Sequence, residues 1–191
     1  MRSLLSVLVL VLVVAAPPAW AACTADEAAD EVDRTGWTLD DWLAAGEAGD
    51  MEAQSHLGTI YAKGWMGVDK DLAVALDWHR RAAEQGHSTS QYIVGYFYAK
   101  GSGTEQDAAE AAKWFAMGAE NCNDAAQIEL ARMYEDGVGV KRDPMAAYMW
   151  YEIALALGRG DERHRERLAA DMADKEVAEA RARAQAWLDA H

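Results

Sequence analysis

The residues of this chain best suited to chemistry are five histidines and two cysteines, and their spacing argues against a metal or catalytic centre. His56, His79, His87, His164 and His191 form no H-E-x-x-H or H-x-x-x-H pair and stand at no ligand spacing from a cysteine. A zinc site needs three or four such side chains converging, with close pairs set a helical turn apart. His56 and His79 fall inside expected helices and read as surface or partly packed imidazoles. Ser88, Thr89 and Ser90 follow Gly86 at a helix start, where hydroxyls cap free amides without nucleophilic chemistry. None of the glycine turns continues into G-K-S or G-K-T, so they are not phosphate loops. Glu135-Asp136 reads as solvated surface. The expectation is no catalytic residue, no metal and no cofactor.

The chain has 191 residues, 51% of them hydrophobic, which suits one folded unit. Its first stretch differs from the rest. Arg2 precedes a run of Leu, Val and Ala over residues 4–16, broken only by Ser6, and Pro17-Pro18 ends it. That run is shorter than a membrane-spanning helix requires, and Ala19 and Ala21 fit an A-x-A cleavage pattern, so residues 1–21 read as a secretory signal cut after Ala21. An uncleaved anchor is the alternative.

Two readings of the cysteines stay open. In one, Cys23 and Cys122 pair and tie the mature N-terminus to the middle of the fold, as an oxidising compartment permits. In the other, Trp20-Ala21-Ala22-Cys23 is a degenerate lipoprotein signal with Cys23 acylated, leaving Cys122 a free thiol. Trp20 stands where that signal usually has Leu, which ranks acylation second.

Formal net charge is −14, and every acidic residue lies beyond position 21. Nucleic acid binding needs clustered Lys and Arg to displace counterions. The short basic runs here, Arg80-Arg81 and residues 163–167, are small or mixed with Glu, so no nucleic acid partner is expected. The same acidity opposes an anionic lipid surface.

The chain repeats itself three times. Leu57-Gly58 with Tyr61, Val94-Gly95 with Tyr98, and Leu130-Ala131 with Tyr134 each set a large apolar, a small and an aromatic residue at i, i+1 and i+4. Gly64, Gly101 and Gly137 follow, then Asp71, Asp107 and Asp143, then Ala75, Ala111 and Ala147, then Trp78, Trp114 and Trp150, with the tryptophans 36 residues apart. One extra residue lies between Gly64 and Asp71. Gln54, Gln91 and Gln127 mark the block starts. Apolar residues three and four apart predict a first helix, the glycine after Tyr stops it, and Asp followed by Pro144 in the third block starts a second. Gly86 and Gly158 close the second helices, and Cys122 replaces that glycine in the middle block. Hairpins of this length are marginal alone, so they must stack.

The run L-G-x-x-Y, G-x-G-V, D-x-x-x-A-x-x-W and a closing glycine resembles the Sel1-like repeat family, a branch of the tetratricopeptide-like solenoids. The third block carries it best, with Leu130-Ala131, Tyr134, Gly137-Val138-Gly139-Val140, Asp143, Ala147, Trp150 and Gly158 in order. Ala131 stands where Gly is usual, and Gly101-Ser102-Gly103-Thr104 lacks the valine. The resemblance covers roughly 50–158 and implies an all-α fold, a right-handed α/α solenoid with capping helices at both ends. The expected divisions are 22–36, loosely ordered; 37–49, an N-capping helix; 50–86, 87–122 and 123–158, the repeats; and 159–191, C-terminal capping helices with Leu168, Met172, Val177, Ala180, Ala184 and Trp187 buried and a break at Ala173-Asp174.

The resemblance also implies a concave wall lined by the first helix of each pair. That register points Ser55, Thr59 and Lys63, then Tyr92, Tyr96 and Lys100, then Ile128, Arg132 and Asp136 into one groove. Tyr92 and Tyr96 would form an aromatic platform and the lysines would attract a peptide carboxylate. Tyr92 packing between layers is the competing reading. The function so implied is a periplasmic or secreted adaptor or regulator that binds a protein or peptide. The rival is a protein that binds or hydrolyses peptidoglycan.

Overall fold

The computed structural model describes residues 34–191. The expected signal sequence, Cys23 and most of the segment 22–36 lie outside the described residues. Within them the chain forms nine helices and no strand. They are α1 (Leu39–Glu47), α2 (Met51–Lys63), α3 (Leu72–Glu84), α4 (Ser88–Lys100), α5 (Ala108–Glu120), α6 (Asp124–Asp136), α7 (Pro144–Ala156), α8 (Glu162–Asp171) and α9 (Asp174–Ala190). Helices α2 to α7 are three hairpins of 13-residue helices. From α1 to α8 each helix packs on its neighbours in sequence, α1 covers α2, and α9 packs back on α7 beside α8. This is a solenoid with a cap at either end.

Local chemistry sets the helix ends. Asp71, Asp107 and Asp143 each accept hydrogen bonds from two backbone amides at the start of α3, α5 and α7. Such a cap satisfies donors the helix cannot satisfy itself. Gly64, Gly101 and Gly137 end α2, α4 and α6 in left-handed backbone, with φ of 69, 66 and 70°. At the start of α4 the structure corrects the sequence reading. The cap is His87, whose Nδ1 accepts from the Ser90 amide at 3.0 Å, while the Ser90 side chain is buried.

Trp42, Trp78, Trp114 and Trp150 are all buried, so the layers are closed by indoles. The residue after each repeat tryptophan is buried more deeply still: His79, Phe115 and Tyr151. Gly58 and Gly95 make room for the first two. A Cβ at Gly58 would lie 2.5 Å from the His79 ring, and one at Gly95 would lie 2.7 Å from that of Phe115. His79 is therefore not the surface or partly packed imidazole expected. It is 2% exposed, its Nδ1 lies 3.3 Å from Ser90 Oγ, and burial, helped by the charge of His87, lowers its pKa to about 4.

The glutamines at the block starts are buried polar clamps. Gln54, Gln91 and Gln127 donate through Nε2 to the carbonyls of Gly46, Ala83 and Ala119, at 3.0, 3.0 and 3.3 Å. Each carbonyl belongs to the preceding layer, and Gly46 in α1 shows that the first cap occupies the place of a second repeat helix. The side-chain oxygens of Gln54 and Gln91 accept from Gln85 and Asn121, at 2.7 and 2.9 Å. Leu157 occupies the corresponding position in the third repeat, and Gln127 Oε1 is buried without a donor among the described residues.

At the C-terminus the break falls at Met172 and Ala173, and α9 buries Ala180, Ala184 and Leu188. Leu188, absent from the expected stripe, is the more buried residue, whereas Met172, Val177 and Trp187 are half-buried. Glu135 is not solvated surface. It accepts from the Tyr151 hydroxyl at 3.0 Å and pairs with Arg167, with His164 3.5 Å away. Burial pushes its carboxyl up, but those partners outweigh it and hold the group below the usual carboxylate range. Arg181 donates to the Tyr148 hydroxyl at 2.9 Å and Arg165 pairs with Glu152 at 3.0 Å. Polar contacts thus fasten the C-terminal cap to the third hairpin.

Candidate functional site

The surface expected to bind a partner lies along α2, α4 and α6, and its centre is α4. Tyr92 and Tyr96 stand one turn apart with ring centroids 6.4 Å from each other. Tyr96 is 44% exposed; among the described residues Trp65, in the first turn, is another large ring so exposed. Lys100 continues the same line, and its Nζ sits 5.8 Å from the Tyr96 ring. A cation at that distance is attracted by the ring face. Tyr92 is more recessed and lies 5.8 Å from Phe115 of α5, so it packs between layers while flanking Tyr96.

Helix α6 supplies the adjoining wall. Burial raises the pKa of Tyr92, the charge of Glu129 raises it further, and that of Arg132 opposes it. Arg132 pairs with Glu129 at 2.8 Å, a bond within α6. Asp136 is exposed one turn further on, and Ile128 is partly buried against the core. The face thus alternates aromatic, cationic and anionic groups over two adjacent layers.

The first repeat contributes less. Ser55 and Thr59 are half-buried, and Thr59 donates its hydroxyl to the Ser55 carbonyl at 3.3 Å, so that group is satisfied within α2. Lys63 is exposed at the end of the helix. The residue sequence reasoning missed on this face is Glu129, which partners Arg132 and acts on Tyr92. Its position one residue past the extrapolated register was the available signal.

Elsewhere the chemistry is sparse. No group of three or more His, Cys, Asp and Glu could hold a metal ion among the described residues. His56 stacks on Trp42 with centroids 4.2 Å apart, a packing role. None of the described helices is long and apolar enough to cross a membrane. Cys122 has a φ of 63°, in the left-handed position that Gly86 and Gly158 occupy in the flanking repeats, and it is disulfide-bonded.

Comparison with known proteins gives a consistent answer. The family model described as Sel1 repeat matches residues 52–87, 88–121 and 124–158. A Sel1 repeat protein from Oxalobacter formigenes, solved by crystallography, is 35% identical with a TM-score of 0.61, over 69% of this chain and 97% of that one. The crystal structure of c5321, a protective antigen of uropathogenic Escherichia coli with an SLR fold, is 24% identical with a TM-score of 0.57. It matches 79% of this chain and 40% of its own, a likeness of fold alone. No curated protein matches. Three tandem matches to one family model, over more than half the chain and on the hairpins just described, make this chain a member of the Sel1 repeat family.

Proposed function

We propose that the protein is a non-catalytic scaffold of the cell envelope that binds a protein or peptide segment across α4 and α6. Sel1 repeat proteins are in general protein-interaction scaffolds, which supports the class of activity. The observation that carries the location is Tyr96, an exposed ring held between Tyr92 and Lys100 on the wall that adjoins Arg132. Exposed tyrosine beside a cation is the composition from which binding hot spots are built. The preferred ligand is an extended segment with an aromatic or apolar side chain to lie on Tyr96 and a carboxylate to meet Lys100.

Placement in the envelope rests on the N-terminal sequence, with its single Arg, short apolar run and small residues before a cleavage point. A disulfide at Cys122 fits an oxidising compartment. Cross-linking in intact cells followed by mass spectrometry tests both parts. The expected result is an envelope protein attached near α4, recovered in much lower yield with Tyr96→Ala and Lys100→Glu. Equal recovery with both variants would end the assignment to this face.

A further inference from the structure

The turns between paired helices are seated on the layer before them, and that contact is left half-made at both ends of the stack. Gly103, in the turn of the second repeat, lies directly on the first residues of α3: a Cβ there would run into the Leu72 carbonyl. Gly139, in the third, lies in the same way on Ala108 at the start of α5. Both adopt left-handed backbone, with φ of 73 and 72°. The contact therefore recurs: a glycine turn with no side chain, pressed on the N-terminal end of the preceding second helix.

Two members of the series lack a partner. Gly67 occupies the place of Gly103 and Gly139 in the first turn, with a φ of 83°, yet apart from its chain neighbours no described residue lies within 4 Å of where its Cβ would be. Beside it Met66 is 45% exposed in left-handed backbone, φ 56°, an unfavourable conformation for a side-chain-bearing residue. At the other end, the start of α7 faces the break between α8 and α9 rather than a glycine turn. Pro144 and Met145 there line a cleft of about 810 Å³ with Tyr134, Leu168 and Met172, and the charged Lys141, Arg142, Asp171 and Glu176 also line it.

We propose that this protein associates head to tail with copies of itself, the Met66-Gly67 turn of one copy entering the cleft at the start of α7 in the next. The occupant is argued from the chain's own joints, which show twice that a turn of this kind fits a surface of this kind. Val138, 51% exposed although its turn is seated, shows that the residue after the first glycine points away from the seat. Met66 and Gly67 therefore carry the contact, and Trp65 need not. Joining two different surfaces gives open chains of copies unless the rotation closes them into a ring.

Sedimentation velocity of the full chain over a wide concentration range tests this. The average mass should rise with concentration. Met66→Asp removes the apolar side chain and suits left-handed backbone, and Met172→Glu charges the cleft; each should weaken association about tenfold or more. Met145→Glu, at a helix start that favours acid, is the substitute should Met172→Glu alter the thermal melt. The decisive mixture combines a turn variant with a cleft variant. One intact turn and one intact cleft remain between them, so dimers should form and grow no further. Wild-type chain that stays monomeric into the millimolar range overturns the proposal. So does association that ignores both variants, or a cleft occupied only by an unrelated protein.

Discussion

Acidifying the protein from pH 7 to pH 5 should weaken it through one side chain, His79. The folded protein holds this imidazole neutral because it is buried against Gly58, and its pKa is lowered to about 4 from an ordinary 6.5. Between those values the unfolded chain binds a proton that the folded one excludes, so acid favours unfolding. The contribution is intact above pH 6.5 and is lost progressively as the pH falls towards 4. The full gap corresponds to about 3 kcal/mol, of which about 2 kcal/mol is gone by pH 5. The control lies in the chain itself: where the first joint sets His79 beside Ser90, the second has Phe115 and Ala126 at the same 11-residue separation. The double variant His79→Phe with Ser90→Ala copies the apolar pair into the first joint. Urea denaturation at half-unit steps should show the wild-type midpoint falling between pH 7 and 5, with that of the double variant nearly level. Parallel curves for the two proteins would refute the assignment of the acid sensitivity to His79.

Three further outcomes follow from the packing. Trp114→Ala empties a buried indole site between layers and should cost about 3 to 5 kcal/mol, read as a lowered urea midpoint; a loss under 1 kcal/mol would show that the ring is dispensable. Asn121→Ala removes the donor to Gln91 Oε1 and should cost about 1 kcal/mol, whereas Leu157→Ala removes no such bond. Asp143→Ala leaves the Met145 and Ala146 amides without their acceptor and should cost about 1 kcal/mol, seen as a lower thermal midpoint.

The hairpins were legible because their signals are local. Asp71, Asp107 and Asp143 cap helices through contacts two and three residues away, and Gly64, Gly101 and Gly137 stop them through their own backbone. The tryptophans were legible by repetition, since a large ring recurring every 36 residues has one place to go in a stack. What escaped was set by contacts between layers. His79 looks like any helical histidine until Gly58 in another helix is known to lack the atom that would exclude it. Gln54, Gln91 and Gln127 were visible as markers, but their role depends on carbonyls eight residues back in the preceding layer. Glu135 read as surface because its partners, Tyr151 and Arg167, lie 16 and 32 residues away. On the proposed face, register placed Tyr96 and Lys100 on one line, while Glu129 needed the lateral approach of α6 to α4.

Leu157 bears on how such a protein could grow. Lengthening by duplicating the third block would copy a glutamine oxygen without a donor into each added layer, a small penalty that accumulates with every copy. Duplicating the second block would carry Asn121 along with Gln91 and keep every new layer satisfied. The middle block is thus the sounder template for a longer array, natural or engineered, and the third is built to be last.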